Sequence, residues 1–354
     1  MANRGSYLFW ILNQIKSNVG ANTKMKALTV LITIFLYACP LMAGSARDYL
    51  DKSNAWFNST EGKKIISNVL SHRDKNGIWP KNIDTTQKRI QKEIRGTFDN
   101  SATLNELRLI AHAFQSTDNL EYKSAFLKGL ACILNAQYKN GGWPQSPKPS
   151  GYSQHITFND GAMVGILNFL REVYSHKIYG FVPNNIIKRT ENSFDQGIKC
   201  ILKCQIKVNG QLTAWCAQHD KITFAPKGAR SYEHASISGG ESAEITCLLM
   251  SIEKPTNQIK ESIIAAVKWY ERSKITGLRY KKVDGDNKIV TDSNAPVMWA
   301  RFYEIKTNRP IFSGRDGKIK YYVSEIEFER RNGYAWYVRS GEKVLKSWKD
   351  WKFK

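Results

Sequence analysis

The feature that most constrains this chain is a recurring passage from an apolar helical stretch, through an Asn-Gly turn, to a tryptophan. It runs from Val69 to Trp79-Pro80. It returns as Ile133-Leu134-Asn135-Ala136-Gln137 followed by Asn140-Gly141-Gly142-Trp143-Pro144, and again as Ile201-Leu202-Lys203-Cys204-Gln205 followed by Asn209-Gly210 and Trp215. Glycine closes a helix in the left-handed conformation, proline stops its continuation, and an indole can fold back on the helix end. A repeat of roughly 60 to 70 residues has room for one helix pair. Helical periodicity supports the partner helices: Leu104, Leu107, Ile110, Ala111 and Phe114; Met163, Ile166, Leu167, Leu170 and Val173; Ile263, Ala266, Val267 and Tyr270. Stacked antiparallel pairs predict an all-α-dominated α/α toroid, an incomplete α/α barrel around a central cleft. From Leu278 the pattern shortens, and Tyr321 to Ile326 and Tyr334 to Val338 read as minor strands among long loops towards the C-terminus.

Domain organisation is simple. Lys26, the apolar run Leu28 to Tyr37 and the small residues Ala43 to Ala46 have the layout of a secretory signal peptide. Residues 1–46 read as an N-terminal extension plus signal peptide, with Met25 a second candidate start, and residues 47–354 as one catalytic domain. The apolar run falls short of the roughly 20 residues of a membrane span, so the mature protein is expected to carry no stable span and to be secreted or periplasmic. Cys39 makes a poor lipid-anchor site. The segment Lys75 to Gly96 reads as an exposed loop or short helix. Removing Cys39 leaves five cysteines without zinc spacing, so at least one thiol is unpaired, and Cys200 and Cys204 read as small buried helix residues.

The chain carries a formal charge of +22, and only four basic residues and no acid lie in residues 1–46, so the domain itself is basic. That favours polyanionic partners. No nucleic-acid motif is present, which leaves an acidic polysaccharide ahead of nucleic acid.

Four clusters combine charge, aromatic residues and turn formers: Thr97 to Thr103, Ile156 to Met163, Trp215 to Asp220 through Ala229 to Glu233, and Trp299 to Glu304. Asp99 and Asp160 each precede an apolar helical run. Each is therefore either a helix N-cap or, beside Asn100 and Asn159, an oxygen ligand suited to calcium. Arg230 and Glu233 stand at i,i+3 and Arg301 and Glu304 likewise, so ion pairing competes with function at both arginines. His219 beside Asp220 lacks any nucleophile signal, and a structural role fits it better. Two rivals stand beside a polyanion-cleaving enzyme: a glycoside hydrolase with paired carboxylates drawn from Asp99, Asp160 and Glu241, and a non-catalytic binder of acidic glycans.

The chain resembles the pectate lyases of polysaccharide lyase family 10. The resemblance rests on Trp56-Phe57-Asn58-Ser59, the Trp79 and Asn140 to Gln145 turns, Phe158 to Met163, Thr213 to Asp220 and Arg230 to Glu233. It continues through Leu249 to Pro255, Trp299 to Glu304, Pro310 to Gly317 and Glu329 to Tyr334. It implies an α/α toroid acting as a monomer on polygalacturonate by calcium-dependent anti β-elimination. By the same resemblance Arg230 is the base, Asp99 and Asp160 hold calcium, and Asn100, Tyr232, Arg301 and Arg315 bind substrate. Ile78 and Ser101 stand where the family usually has glycine, and Ser238 to Ser242 has glycine where alanine is common. These departures touch turn shape and remove no charged group.

Overall fold

The computed structural model describes residues 45–351. The expected leader, with Met25 and Cys39, lies outside the described residues except for Ser45 and Ala46. Ala46 is itself buried in the core. Among the described residues no helix is long and apolar enough to cross a membrane.

Four helix pairs build the domain, one more than the sequence repeat predicts. The pairs are α1 (Thr60–Ser71) with α2 (Leu104–Thr117), α3 (Leu120–Ala136) with α4 (Ala162–Ser175), α5 (Asn184–Cys204) with α6 (Glu241–Met250), and α7 (Asn257–Ser273) with α8 (Ser340–Trp351). Helices α2, α4, α6 and α8 pack in succession as one layer; α3, α5 and α7 pack in succession outside them. The arrangement is the expected α-dominated toroid. Residues of α2 and α4 and the end of α6 line a cavity of about 950 Å³ on the inner side.

One contact repeats in every pair. The indole N–H of a fully buried tryptophan donates to a carbonyl in the last turn of the preceding outer helix, where four carbonyls lack an intrahelical partner. Trp79 donates to Val69 O at 2.6 Å, Trp143 to Ile133 O at 2.9 Å, Trp215 to Ile201 O at 2.8 Å and Trp299 to Tyr270 O at 2.9 Å. The Trp299 member, which the sequence shows only as a charged cluster, is the fourth repeat. Each strap then receives a returning strand: Thr97 N–H reaches Trp79 O, Thr157 N–H reaches Trp143 O, and Ser238 N–H reaches Trp215 O. Tyr337–Val338 pairs with Trp299–Ala300 in the last unit.

The Asn-Gly turns are sterically required. Gly77, Gly141 and Gly210 all have positive φ, and a Cβ on Gly141 would stand 2.1 Å from the Gln196 carbonyl of α5. All five cysteines of the described residues are free, with Cys200 and Cys204 buried. Lys75 to Gly96 is loop, although Thr85 and Thr86 within it are buried. Towards the C-terminus the longest strands form the hairpin Leu278–Val283 with Asp286–Thr291. Tyr321 to Ile326 is not a strand but holds a 3₁₀ turn, Val323–Glu325, because the Glu325 carboxylate accepts the Tyr321 and Tyr322 N–H groups and tightens the chain.

Trp143→Phe tests the strap. It removes buried aromatic volume and leaves the Ile133 carbonyl without its donor, so urea unfolding should show a loss of about 2–4 kcal/mol. An unchanged midpoint would mean that the indole bond contributes nothing.

Candidate active site

The straps and returning strands place the site. Phe98 N–H bonds the Gln145 carbonyl, Phe158 N–H bonds that of Ala217, and Gly239 N–H bonds that of Arg301, so each returning strand is stitched to the strap of the following repeat. The N-terminal ends of α2, α4 and α6 therefore open on one face. At the first two ends the sequences are Thr-Phe-Asp-Asn and Thr-Phe-Asn-Asp, and the corresponding residues Asn100 and Asp160 share a left-handed backbone, φ +54° and +52°. Acid and amide exchange places between the two. Neither Asp99 nor Asp160 caps a helix: the caps are Thr103 and Gly161, and neither makes a side-chain capping bond.

Asp99 is fully buried. Its Oδ2 accepts from Gln145 Nε2 at 2.6 Å and contacts Lys81 Nζ, while its Oδ1 is buried without a hydrogen-bond partner among the described residues. Asp160 is more open, held by Asn159 Nδ2 at 2.6 Å with Arg301 Nη2 3.9 Å away. Burial raises its carboxyl above the ordinary range, and the charge of Asp99 adds to the rise. Arg301 pairs with Glu241 at 2.9 Å and donates to Asn159 Oδ1 at 3.2 Å. It does not pair with Glu304, which accepts instead from Thr307 and Tyr321. Burial works against the Arg301 charge, but Glu241, Tyr334, Asp160 and Glu233 together outweigh it and the guanidinium is held above its usual pKa.

Tyr334 joins this acidic group to Arg230, because its ring lies 4.9 Å from the Arg301 guanidinium and 5.8 Å from that of Arg230. Arg230 is gripped side-on. Its Nε and Nη2 both donate to Glu233, whose Oε1 also accepts the Tyr334 hydroxyl at 2.6 Å. Nη1 is left without a partner among the described residues, on a side chain that is 44% exposed. The Glu233 bonds raise the Arg230 pKa. Burial pushes the Glu233 carboxyl up, yet its bonds to Arg230 and Tyr334 outweigh this and hold it low. Tyr232 is buried, its ring between the Arg230 guanidinium at 5.1 Å and that of Arg330 at 4.8 Å. Arg315 is mostly exposed and paired with Glu329, on a turn whose Gly317 lies beside Ser231.

His219 has a structural part. Its Nε2 accepts the Cys216 N–H and its Nδ1 faces the Phe224 carbonyl, so the ring is the neutral Nδ1–H tautomer, and burial lowers its pKa to about 4. Sequence reading missed Lys81, Gln145 and Tyr334. Lys81 and Gln145 each stand two places after a strap tryptophan, as does Arg301, so aligning the repeats through the tryptophans would have found the first two.

A family model described as pectic acid lyase matches residues 73–345. Among solved structures, a mutant of the family 10 polysaccharide lyase from Cellvibrio cellulosa, in complex with trigalacturonic acid, is 34% identical, covers 86% of this chain and 97% of its own, and has a TM-score of 0.76. The family 10 polysaccharide lyase from the same organism is 33% identical, with 89% and 98% covered and a TM-score of 0.76. No curated protein matches the chain.

Two charge tests follow. Glu241→Gln strands the buried Arg301 charge and should cost about 3 kcal/mol in urea unfolding, whereas Arg315→Gln, which removes only the exposed partner of Glu329, should leave the midpoint within error; equal losses would contradict this ranking of burial. Glu106, in the first turn of α2, has one oxygen on Thr85 Oγ1 and the other buried without a partner, and burial pushes its carboxyl up to about 7. The folded state then binds the proton more tightly than the unfolded chain, so this group's contribution is largest below about pH 4 and is lost as pH rises to 7. Glu106→Gln should match wild type near pH 4 and exceed it by about 1–3 kcal/mol at pH 8; a constant difference across that range would refute the assignment.

Proposed function

The chain belongs to the pectic acid lyase family and is a polysaccharide lyase, and we propose that it cleaves polygalacturonate by calcium-assisted anti β-elimination with Arg230 as the base. The observation that carries this reading is the joining, through the Tyr334 ring, of an arginine with one open nitrogen to a pair of carboxylates flanked by cations.

The residues fit calcium. Asp99 Oδ1 is a buried oxygen without a partner among the described residues, and burial first and the charge of Asp99 second raise the Asp160 carboxyl, the latter a repulsion that a divalent cation relieves. Among the described residues no group of three or more His, Cys, Asp or Glu gathers as a metal site, so the substrate carboxylate and water must complete the about six to eight oxygens calcium takes. When bound, the ion supplies Lewis-acid stabilisation of the charge that develops on the uronate carboxylate.

Every other part is the chain's own. Arg301, buried and charged, fits a planar carboxylate and, with Asn100 and Arg315, would orient the sugars; Tyr232 supports the Arg230 plane from beneath. The C5–H electrons become the C4–C5 double bond, the C4–O4 bond breaks, O4 takes a proton from water, and the C5 proton passes to Nη1. Glu233 and Tyr334 fix the guanidinium so that Nη1 alone is available. Glu233 also holds Arg230 protonated, so the neutral form that accepts a proton is a minority that grows with pH, and activity should climb into the alkaline range.

Asp99 is tied to Lys81 and Glu241 to Arg301, so neither is free to act as a hydrolase acid. The leader-like residues support export, secreted or periplasmic, with the enzyme acting as a monomer.

The deciding assay follows the ultraviolet absorbance of the 4,5-unsaturated product on polygalacturonate. A calcium-dependent rise, abolished by chelator and reduced by about 10²-fold or more in Arg230→Lys, is expected; Glu233→Gln should flatten the alkaline climb. New reducing ends without absorbance would mean hydrolysis and end this reading.

A further inference from the structure

The four straps place one residue each at the second position after tryptophan: Lys81, Gln145, Ala217 and Arg301. The first two side chains end on a single atom, Asp99 Oδ2, and leave Oδ1 bare and buried. Lys81 pairs with no other carboxylate among the described residues, and its side chain is 39% exposed. Its loop is fastened independently: Arg89 donates to the carbonyls of Ser71, Gln91 and Lys92, and Asn68 holds the Thr86 carbonyl. The ammonium is thus brought by a fixed loop on a flexible stem to a carboxylate with no solvent of its own.

A fully buried carboxylate needs a counter-charge. Lys81 provides one, and in doing so opposes any second cation at the same group. We propose that Lys81 is the resident counter-ion of Asp99 and sets the affinity of this site for a divalent cation. This rests on the calcium reading above and goes beyond it by naming the residue that controls loading. At short range and reduced dielectric, an ammonium beside the ligand carboxylate weakens cation binding by about tenfold or more. Lysine suits the part better than arginine would, being a mobile point charge without a fixed fork. Its exposure lets the ammonium leave Oδ2 and pair with a uronate carboxylate when the polyanion arrives. The same event that brings oxygen ligands to the cation thereby removes its competitor, which makes calcium and substrate bind with positive coupling.

Calorimetric titration of the full chain tests this, with Arg230→Ala in every sample to prevent turnover. Calcium is titrated alone and then with saturating trigalacturonate. Lys81→Met should bind calcium alone about tenfold or more tighter than the parent, with a smaller gain on adding trigalacturonate, while Lys81→Arg should stay near the parent. Asp99→Asn should abolish the tight calcium heat, which ties the signal to this carboxylate. If parent and Lys81→Met take up calcium with trigalacturonate but show equal affinities alone, the calcium reading stands and the role of Lys81 falls. Should no sample bind calcium under either condition, both fall together. Circular dichroism of Lys81→Met and Lys81→Gln guards against misfolding, and either folded variant decides the question.

Discussion

The indole-to-carbonyl bond at the end of each outer helix is the contact on which the architecture depends. A helix end leaves carbonyls without partners, and burying them uncovered is costly. Here a tryptophan four times covers one of them and turns the chain inward. Because the strap is fixed against the outer helix, the strand returning along it has one register, and the inner helix begins at a set height. The candidate catalytic face is where those beginnings meet.

Charge is balanced locally on that face. Asp99 answers to Lys81, Glu241 to Arg301, and Glu233 to Arg230. The overall basicity of the chain is a separate property, suited to attracting a polyanion from a distance, while the buried pairs decide which atoms remain free. Among the described residues the Oδ1 of Asp99, the Nε of Arg301 and the Nη1 of Arg230 have no partner. They are one hard oxygen and two guanidinium nitrogens, the kinds of atom that the proposed elimination next to a carboxylate would use.

Much of this was legible in the sequence. The helix pairs followed from apolar spacing and from Asn-Gly turns, and the acids and arginines of the candidate site from motif resemblance. The fourth repeat was hidden because Trp299 follows a β-hairpin and not an Asn-Gly turn, so the local signature was absent although the indole bond is the same. Ion pairing split the two arginines in opposite ways. Arg230 does hold Glu233 three residues on, since a tight turn brings them side-on, but Arg301 turns from Glu304 to Glu241, sixty places away in the chain and adjacent in space. Tyr334, too, is related to Arg230 only through tertiary structure.

The stitching of each returning strand to the next strap has a consequence for the chain as it is made. Phe98 depends on Gln145, Phe158 on Ala217 and Gly239 on Arg301, and Arg301 in turn bonds the Trp336 carbonyl. A polypeptide emerging amino end first holds Asp99 and Asp160 early, yet the groups that complete their surroundings come last. Until Tyr334 and Trp336 have appeared the Arg230 and Arg301 guanidinia lack the ring that neighbours both, so this face is assembled only when nearly the whole chain is out.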